Sequence, residues 1–209
     1  MKSEYKILEN TKTAQGNTIS LCSLNSDKNQ NLVIGVIHGD EPQGEYLINR
    51  YMDEVAKENV LFLPCLNPDG RDSKTRVNSN GVDLNRNFPT KNWKKTERDN
   101  YFGGDSPASE IETRFLINII EKYQPKTIIT LHTPYKIVNY DGPAKELAKK
   151  ISEIINYPVE ESIGYPTPGS FGTYAGVERN IPVITLEMDE DIEPKELYPY
   201  VREVFDILK

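Results

Sequence analysis

Five apolar, β-branched runs, at residues 18–24, 32–37, 60–66, 127–131 and 182–186, are separated in several places by helical periodicity. That alternation does most to narrow what the chain can fold into. The helical patterns fall at 44–57, 109–123, 143–156 and 194–208. Strands that alternate with helices bury both sheet faces, so the expectation is an α/β fold with a mixed, mostly parallel sheet and helices on both faces. With 209 residues and no linker-like stretch, the chain reads as a single domain over 1–209.

Charge and cysteine usage remove several function classes. Lys and Arg number 25 against 32 Asp and Glu, a net charge of −7, which disfavours nucleic acid or an anionic membrane as the main partner. The N-terminus lacks the apolar core of a signal peptide and no segment approaches the length of a membrane span, so the chain reads as cytoplasmic. Cys22 and Cys65 lie in apolar runs without CxxC spacing and read as buried free thiols.

In open sheets of this kind, sites gather at the carboxyl ends of the strands. Here His38 follows one run, Asn67 another, His132 a third and Glu187 a fourth. Residues 67–106, rich in Asn, Asp, Gly, Arg and Pro, read as a long ordered loop. The chain has two histidines, so His38 and Glu41 of His38-Gly-Asp-Glu41, with His132, form its His2Glu set. Such a set suits a catalytic zinc with an open position, although a lone strand-end histidine is more often a satisfied core or loop residue.

The other candidates carry alternatives too. Asp83, in Gly81-Val-Asp-Leu-Asn-Arg-Asn-Phe-Pro89, is either an Asx-turn residue or a carboxylate behind a metal-bound imidazole. Asn85 and Arg86 could clamp a carboxylate, and Arg76 is otherwise a solvated loop cation. Glu187, at the tip of an apolar strand, is either a rim residue or a general base whose pKa burial raises. The Gly-rich stretch at 167–174 lacks phosphate-loop and dinucleotide spacings, so nucleotide binding is unsupported.

Taken in order, His38-x-x-Glu41, Asn67-Pro-Asp-Gly70, Gly81-Val-Asp-Leu-Asn-Arg-Asn-Phe-Pro89, His132 and Glu187 resemble the zinc metallocarboxypeptidase family over residues 31–190. Tyr140-Asp-Gly-Pro-Ala144 and the stretch at 168–187 are similar to its murein peptide amidase branch, which cleaves the γ-D-glutamyl–meso-diaminopimelate bond in cell-wall peptide recycling. The resemblance implies a zinc carboxypeptidase-like fold and one zinc per chain on His38, Glu41 and His132, with Asp83 behind His38. It further implies Glu187 as the base, Arg76 at the scissile carbonyl, and Asn85 and Arg86 on the substrate's terminal carboxylate. Tyr165 sits near the place of the family's mobile tyrosine. Asp40 stands where digestive carboxypeptidases carry Arg, and would suit a substrate ammonium. The expected partner is a small murein-derived peptide. The rivals are a deacylase resembling succinylglutamate desuccinylase or aspartoacylase, and a peptide-binding module without turnover.

Overall fold

The structure, a computed structural model, describes residues 4–25 and 30–208. In chain order the elements are β1 (Lys6–Lys12), β2 (Thr18–Ser23), β3 (Asn31–Ile34), α1 (Gln43–Glu54), β4 (Val60–Leu63), α2 (Pro68–Ser73), α3 (Ile111–Tyr123), β5 (Thr127–His132), β6 (Ile137–Asp141), α4 (Lys145–Ile155), β7 (Val159–Glu160), β8 (Val183–Glu187) and α5 (Pro194–Asp206). Every residue of β3 and β4 is buried, which explains their unbroken apolar character: strands covered on both faces have no polar side to show.

All eight strands join one sheet in the order β1-β2-β4-β3-β5-β8-β6-β7. The pairs β3–β4, β3–β5, β5–β8 and β6–β7 are parallel, and β1–β2, β2–β4 and β6–β8 are antiparallel. One face packs on α1, α4 and α5 through Leu47, Ile151 and Val201 against Ile129 and Ile184. The other packs on α3 and the loops through Phe115, Ile119, Phe88 and Tyr174 against Leu32, Ile128 and Val183. Among the described residues, no helix is long and apolar enough to cross a membrane.

Three features differ from the sequence expectation. Strands β1, β6 and β7 add to the five anticipated, because their half-polar patterns become strands only once a neighbour pairs with them. The 67–106 stretch is not all loop: it carries α2 and a 3₁₀ turn at Leu84–Arg86. Cys65 is a buried free thiol, but Cys22 is only partly buried, since on β2 Leu21 and Ser23 alternate inward and leave it on the thinly covered side.

Candidate active site

The bend that delivers His38 starts at the end of β3. Val36 adopts a left-handed backbone, φ 51°, which a β-branched residue tolerates only where its surroundings over-determine it. Two cross-links supply that constraint: Gly35 N–H donates to Leu63 O at 2.9 Å and Asn67 N–H to Val36 O at 2.9 Å. The loops after β3 and β4 are therefore tied together. Asn67 caps α2 by accepting from Gly70 N–H at 2.9 Å. Gly39 then lies directly on that helix: a Cβ there would sit 2.0 Å from Gly70 C and 2.4 Å from Arg71 N. The Asn67-Pro-Asp-Gly70 segment is thus a platform for the 38–41 turn, and Asp69 bolts it down by accepting from Thr13 Oγ1 at 2.6 Å and Ser79 Oγ at 2.8 Å.

On that platform His38 Nδ1 lies 2.8 Å from Glu41 Oε1, and His132 Nδ1 lies 2.9 Å from Glu41 Oε2 and 3.2 Å from His38 Nδ1. His132 is the last residue of β5 and sits opposite Glu187 in the β5–β8 register. All three side chains are buried, and one ligand atom from each falls within 4.8 Å of the others. Tetrahedral coordination with bonds of about 2.1 Å puts ligand atoms about 3.4 Å apart, so the donor set has the chemistry and spacing of a zinc site. Two facing imidazole nitrogens and a carboxylate, all buried at the foot of a cleft, are also hard to explain as hydrogen-bonding partners alone.

Asp83, with no exposed surface, backs this group. Its Oδ1 is 3.4 Å from His38 Nε2 and accepts from Asn85 N–H at 2.8 Å, while Oδ2 accepts from Arg76 Nε at 2.9 Å. One carboxylate thus closes the turn, as an Asx-turn residue does, and also faces the His38 imidazole. Burial alone would lower the pKa of His38, but the Glu41 and Asp83 carboxylates prevail and push it up to about 9. Burial opposes ionisation of Glu41 and Asp83, yet the adjacent imidazoles and, for Asp83, Arg76 hold both well below the usual carboxylate range. Burial keeps His132 below its ordinary value. Glu187 goes the other way: burial, reinforced by the Glu41 carboxylate, pushes it up to about 8, and its buried Oε2 has no partner among the described residues.

Arg76 also reaches this centre, with Nη1 3.8 Å from Glu41 Oε1 and its guanidinium over the Tyr101 ring. Arg86 is buried on the 3₁₀ turn, and Asn85 Oδ1 accepts from Phe171 N–H at 2.9 Å, which pins the 167–174 stretch to the site. Tyr165 is 39% exposed, its hydroxyl 3.5 Å from that of Tyr135. Asp40 is exposed on the rim. The structure thus gathers His38, Glu41, His132, Asp83, Arg76, Asn85, Arg86 and Glu187 about one cleft, with Tyr165 and Asp40 at its border.

The cleft has two chambers. One of about 190 Å³ is lined by His38, Glu41, Arg76 and Arg86. The second, of about 130 Å³, is floored by Thr130, Thr185, Asn139 and Asp141, and both chambers touch Asn85, Tyr165 and Glu187. The sequence reading gave none of those four floor residues a site role, although Asp141 lies in Tyr140-Asp-Gly-Pro-Ala144. Their signal is a period of two: Thr130 and His132, Thr185 and Glu187, and Asn139 and Asp141 are alternate polar positions on their strands.

A buried His2Glu cluster at the strand ends of a mixed sheet defines a metallohydrolase of carboxypeptidase architecture. Solved structures agree: the crystal structure of murein-tripeptide amidase MpaA from Escherichia coli O157 superimposes with a TM-score of 0.85 at 28% identity, covering 98% of this chain and 91% of that one. Carboxypeptidase A from Helicoverpa armigera shares the fold at a TM-score of 0.77 and 18% identity, covering 98% of this chain and 66% of that one. Residues 2–150 match the zinc carboxypeptidase (peptidase M14) family, and the chain belongs to it. It is 34% identical over 177 residues to murein peptide amidase A of Escherichia coli K12, covering 78% of this chain and 72% of the relative. Against the same enzyme of Vibrio campbellii it is 35% identical over 176 residues, covering 75% and 68%. The chain is therefore a hydrolase, and its family implies zinc.

Proposed function

We propose that the chain, acting as one catalytic domain over residues 1–209, hydrolyses the γ-D-glutamyl–meso-diaminopimelate amide of murein tripeptide. The observation that carries this reading is the buried convergence of His38, Glu41 and His132 beside Glu187, a carboxylate kept high in pKa. Similarity to the murein peptide amidases supplies the substrate. One zinc would be held by His38, Glu41 and His132, and when bound it supplies Lewis acidity toward a carbonyl oxygen and a more acidic water.

The chain's own residues do the rest. Glu187 takes a proton from the attacking water at its unpartnered Oε2. As the C–N bond breaks, Glu187 gives that proton to the leaving nitrogen. Arg76, held at Nε by Asp83, presents its positive charge to the oxygen that becomes anionic. Asn85 and Arg86 hold the terminal carboxylate, the guanidinium as a fork. Tyr165 closes over the bound peptide from the rim. Asp83 fixes the tautomer and orientation of His38.

The test is incubation of zinc-loaded protein with L-alanyl-γ-D-glutamyl-meso-diaminopimelate, reading free diaminopimelate by mass spectrometry, with a chelator control. Release that the chelator abolishes is the expected result. No release from loaded, folded protein overturns the proposal, and equal kcat/KM on a plain hydrophobic dipeptide overturns the choice of substrate while leaving peptide hydrolysis in place.

A further inference from the structure

We propose that Asp141 is the specificity residue of this site, and that its carboxylate receives the side-chain ammonium of the amino acid leaving the amide. The inference rests on the amide-hydrolase reading above and assigns one residue within it.

The argument starts from strand geometry. In register, Asn139 lies opposite Thr185, and Thr185 opposite Thr130. Alternate residues share a face, so Asp141, two along from Asn139, continues the same polar row away from His132 and Glu187. At its own level the neighbours on that face are apolar, since Asp141 stands opposite Val183 and Val183 opposite Ile128. A carboxylate in that position loses water and must gain something in return.

The protein offers it nothing. Among the described residues, the Asp141 carboxylate has no hydrogen-bond donor and no ion-pair partner, and burial alone raises its pKa. The lining of the chamber contains Asp141, Glu161 and Glu187 and no Lys or Arg. Glu161 already accepts from Tyr140 and Lys145, and Glu187 is assigned to the attacking water, so the carboxylate left for a ligand group is that of Asp141.

The backbone is also cut away to admit this side chain. Across from β6, residues Gly172–Val177 form a π-helical turn, a rare conformation found often at functional sites. A Cβ on Gly172 would lie 2.1 Å from Asp141 Oδ2, and one on Gly176 would lie 2.3 Å from Asp141 Cβ. Glycine at 172 makes room for the carboxylate itself, and glycine at 176 lets the two backbones approach at Asp141.

Size and direction complete the assignment. A volume of about 130 Å³, roughly four times the ~30 Å³ that a water takes in the liquid, suits one long side chain rather than a peptide. Asn85, assigned to the terminal carboxylate, borders both chambers, so the residue it holds has its side chain directed into this one. Asp141 therefore recognises the ammonium of a diamino acid, the task for which exposed Asp40 was the sequence-based candidate.

The experiment compares γ-D-glutamyl-lysine with γ-D-glutamyl-norleucine, which differ by the ammonium alone, on zinc-loaded wild type, Asp141→Asn and Gly172→Ala. Binding of free lysine and norleucine is measured in parallel by calorimetry. Wild type should favour the lysine compounds by about 30-fold or more, the effect of removing one partner of a buried charge pair. Both variants should bring that ratio to within a few-fold of one, Gly172→Ala by displacing a carboxylate that stays charged. An unchanged ratio in Asp141→Asn, or no preference in wild type, overturns the proposal. If no γ-D-glutamyl peptide is cleaved, the amide-hydrolase reading fails, and the calorimetric ratios alone then decide for or against Asp141.

Discussion

Asp83→Asn isolates the contribution of the carboxylate behind His38. Asp83 is fully buried, accepts from Asn85 N–H at 2.8 Å and Arg76 Nε at 2.9 Å, and faces the His38 ring at 3.4 Å. Asparagine has nearly the same shape, but one of its two oxygens becomes an NH2, so at least one donor must face another donor. A buried group left without its partner costs about 1–3 kcal/mol, and loss of the counter-charge to Arg76 moves the figure toward the top of that range. We expect the metal-free variant to be destabilised by about 2–3 kcal/mol in urea denaturation. Zinc affinity, measured by competition against a chromophoric chelator, should fall about 10–100-fold, the usual effect of removing such a carboxylate. The two readouts separate the roles open to Asp83. A variant that loses stability but binds zinc within about threefold of wild type would reduce Asp83 to a turn residue, and the orientation argument would fail.

Other perturbations follow from the same geometry. His132→Ala should remove most bound zinc by elemental analysis while circular dichroism stays native, and full retention of zinc would discard the ligand set. Glu187→Gln should keep zinc and substrate binding and lose turnover by about a hundredfold or more, because an amide cannot accept the water's proton. A loss of only a few-fold would move the base to another group. Arg86→Ala should raise KM with little change in kcat, whereas Arg76→Ala should lower kcat, since only Arg76 meets charge that develops in the transition state. Identical KM effects from both would erase that division.

The convergence of His38, Glu41 and His132 was legible because the chain has two histidines and both stand at the ends of apolar runs. Periodicity showed the same for the central strands, whose burial on both faces leaves an apolar record. What stayed hidden depends on pairing across distance. Ile137-Val-Asn-Tyr-Asp141 is half polar and reads as loop until β8 lies antiparallel to it, and only that register aligns Asn139 with Thr185. The Gly-rich 167–174 stretch lacks nucleotide spacings and enters the sequence reading only through the family resemblance. Gly172 instead answers to a side chain some thirty residues earlier, a reason invisible in local sequence. The long 67–106 segment likewise hid a helix, because α2 is six residues capped by Asn67 and Pro68, too short for periodicity to register.

The polar row across β5, β8 and β6 gives the sheet a conflict between stability and function that can be measured. Burial raises the folded-state pKa of Asp141 above its unfolded value near 3.8. The folded state therefore holds that proton more tightly than the unfolded state. By linkage, the wild-type chain loses stability as pH rises from below the unfolded pKa through the folded one, and the loss is complete above it. Asp141→Asn carries no such titration. At neutral pH the variant should therefore be more stable than wild type in urea, with the advantage fading as pH falls below the unfolded pKa, and an added diamino acid should close the gap by binding wild type alone. A variant less stable than wild type at neutral pH would mean that the carboxylate has found a partner within the fold, and the case for an ammonium from the substrate would lose its footing.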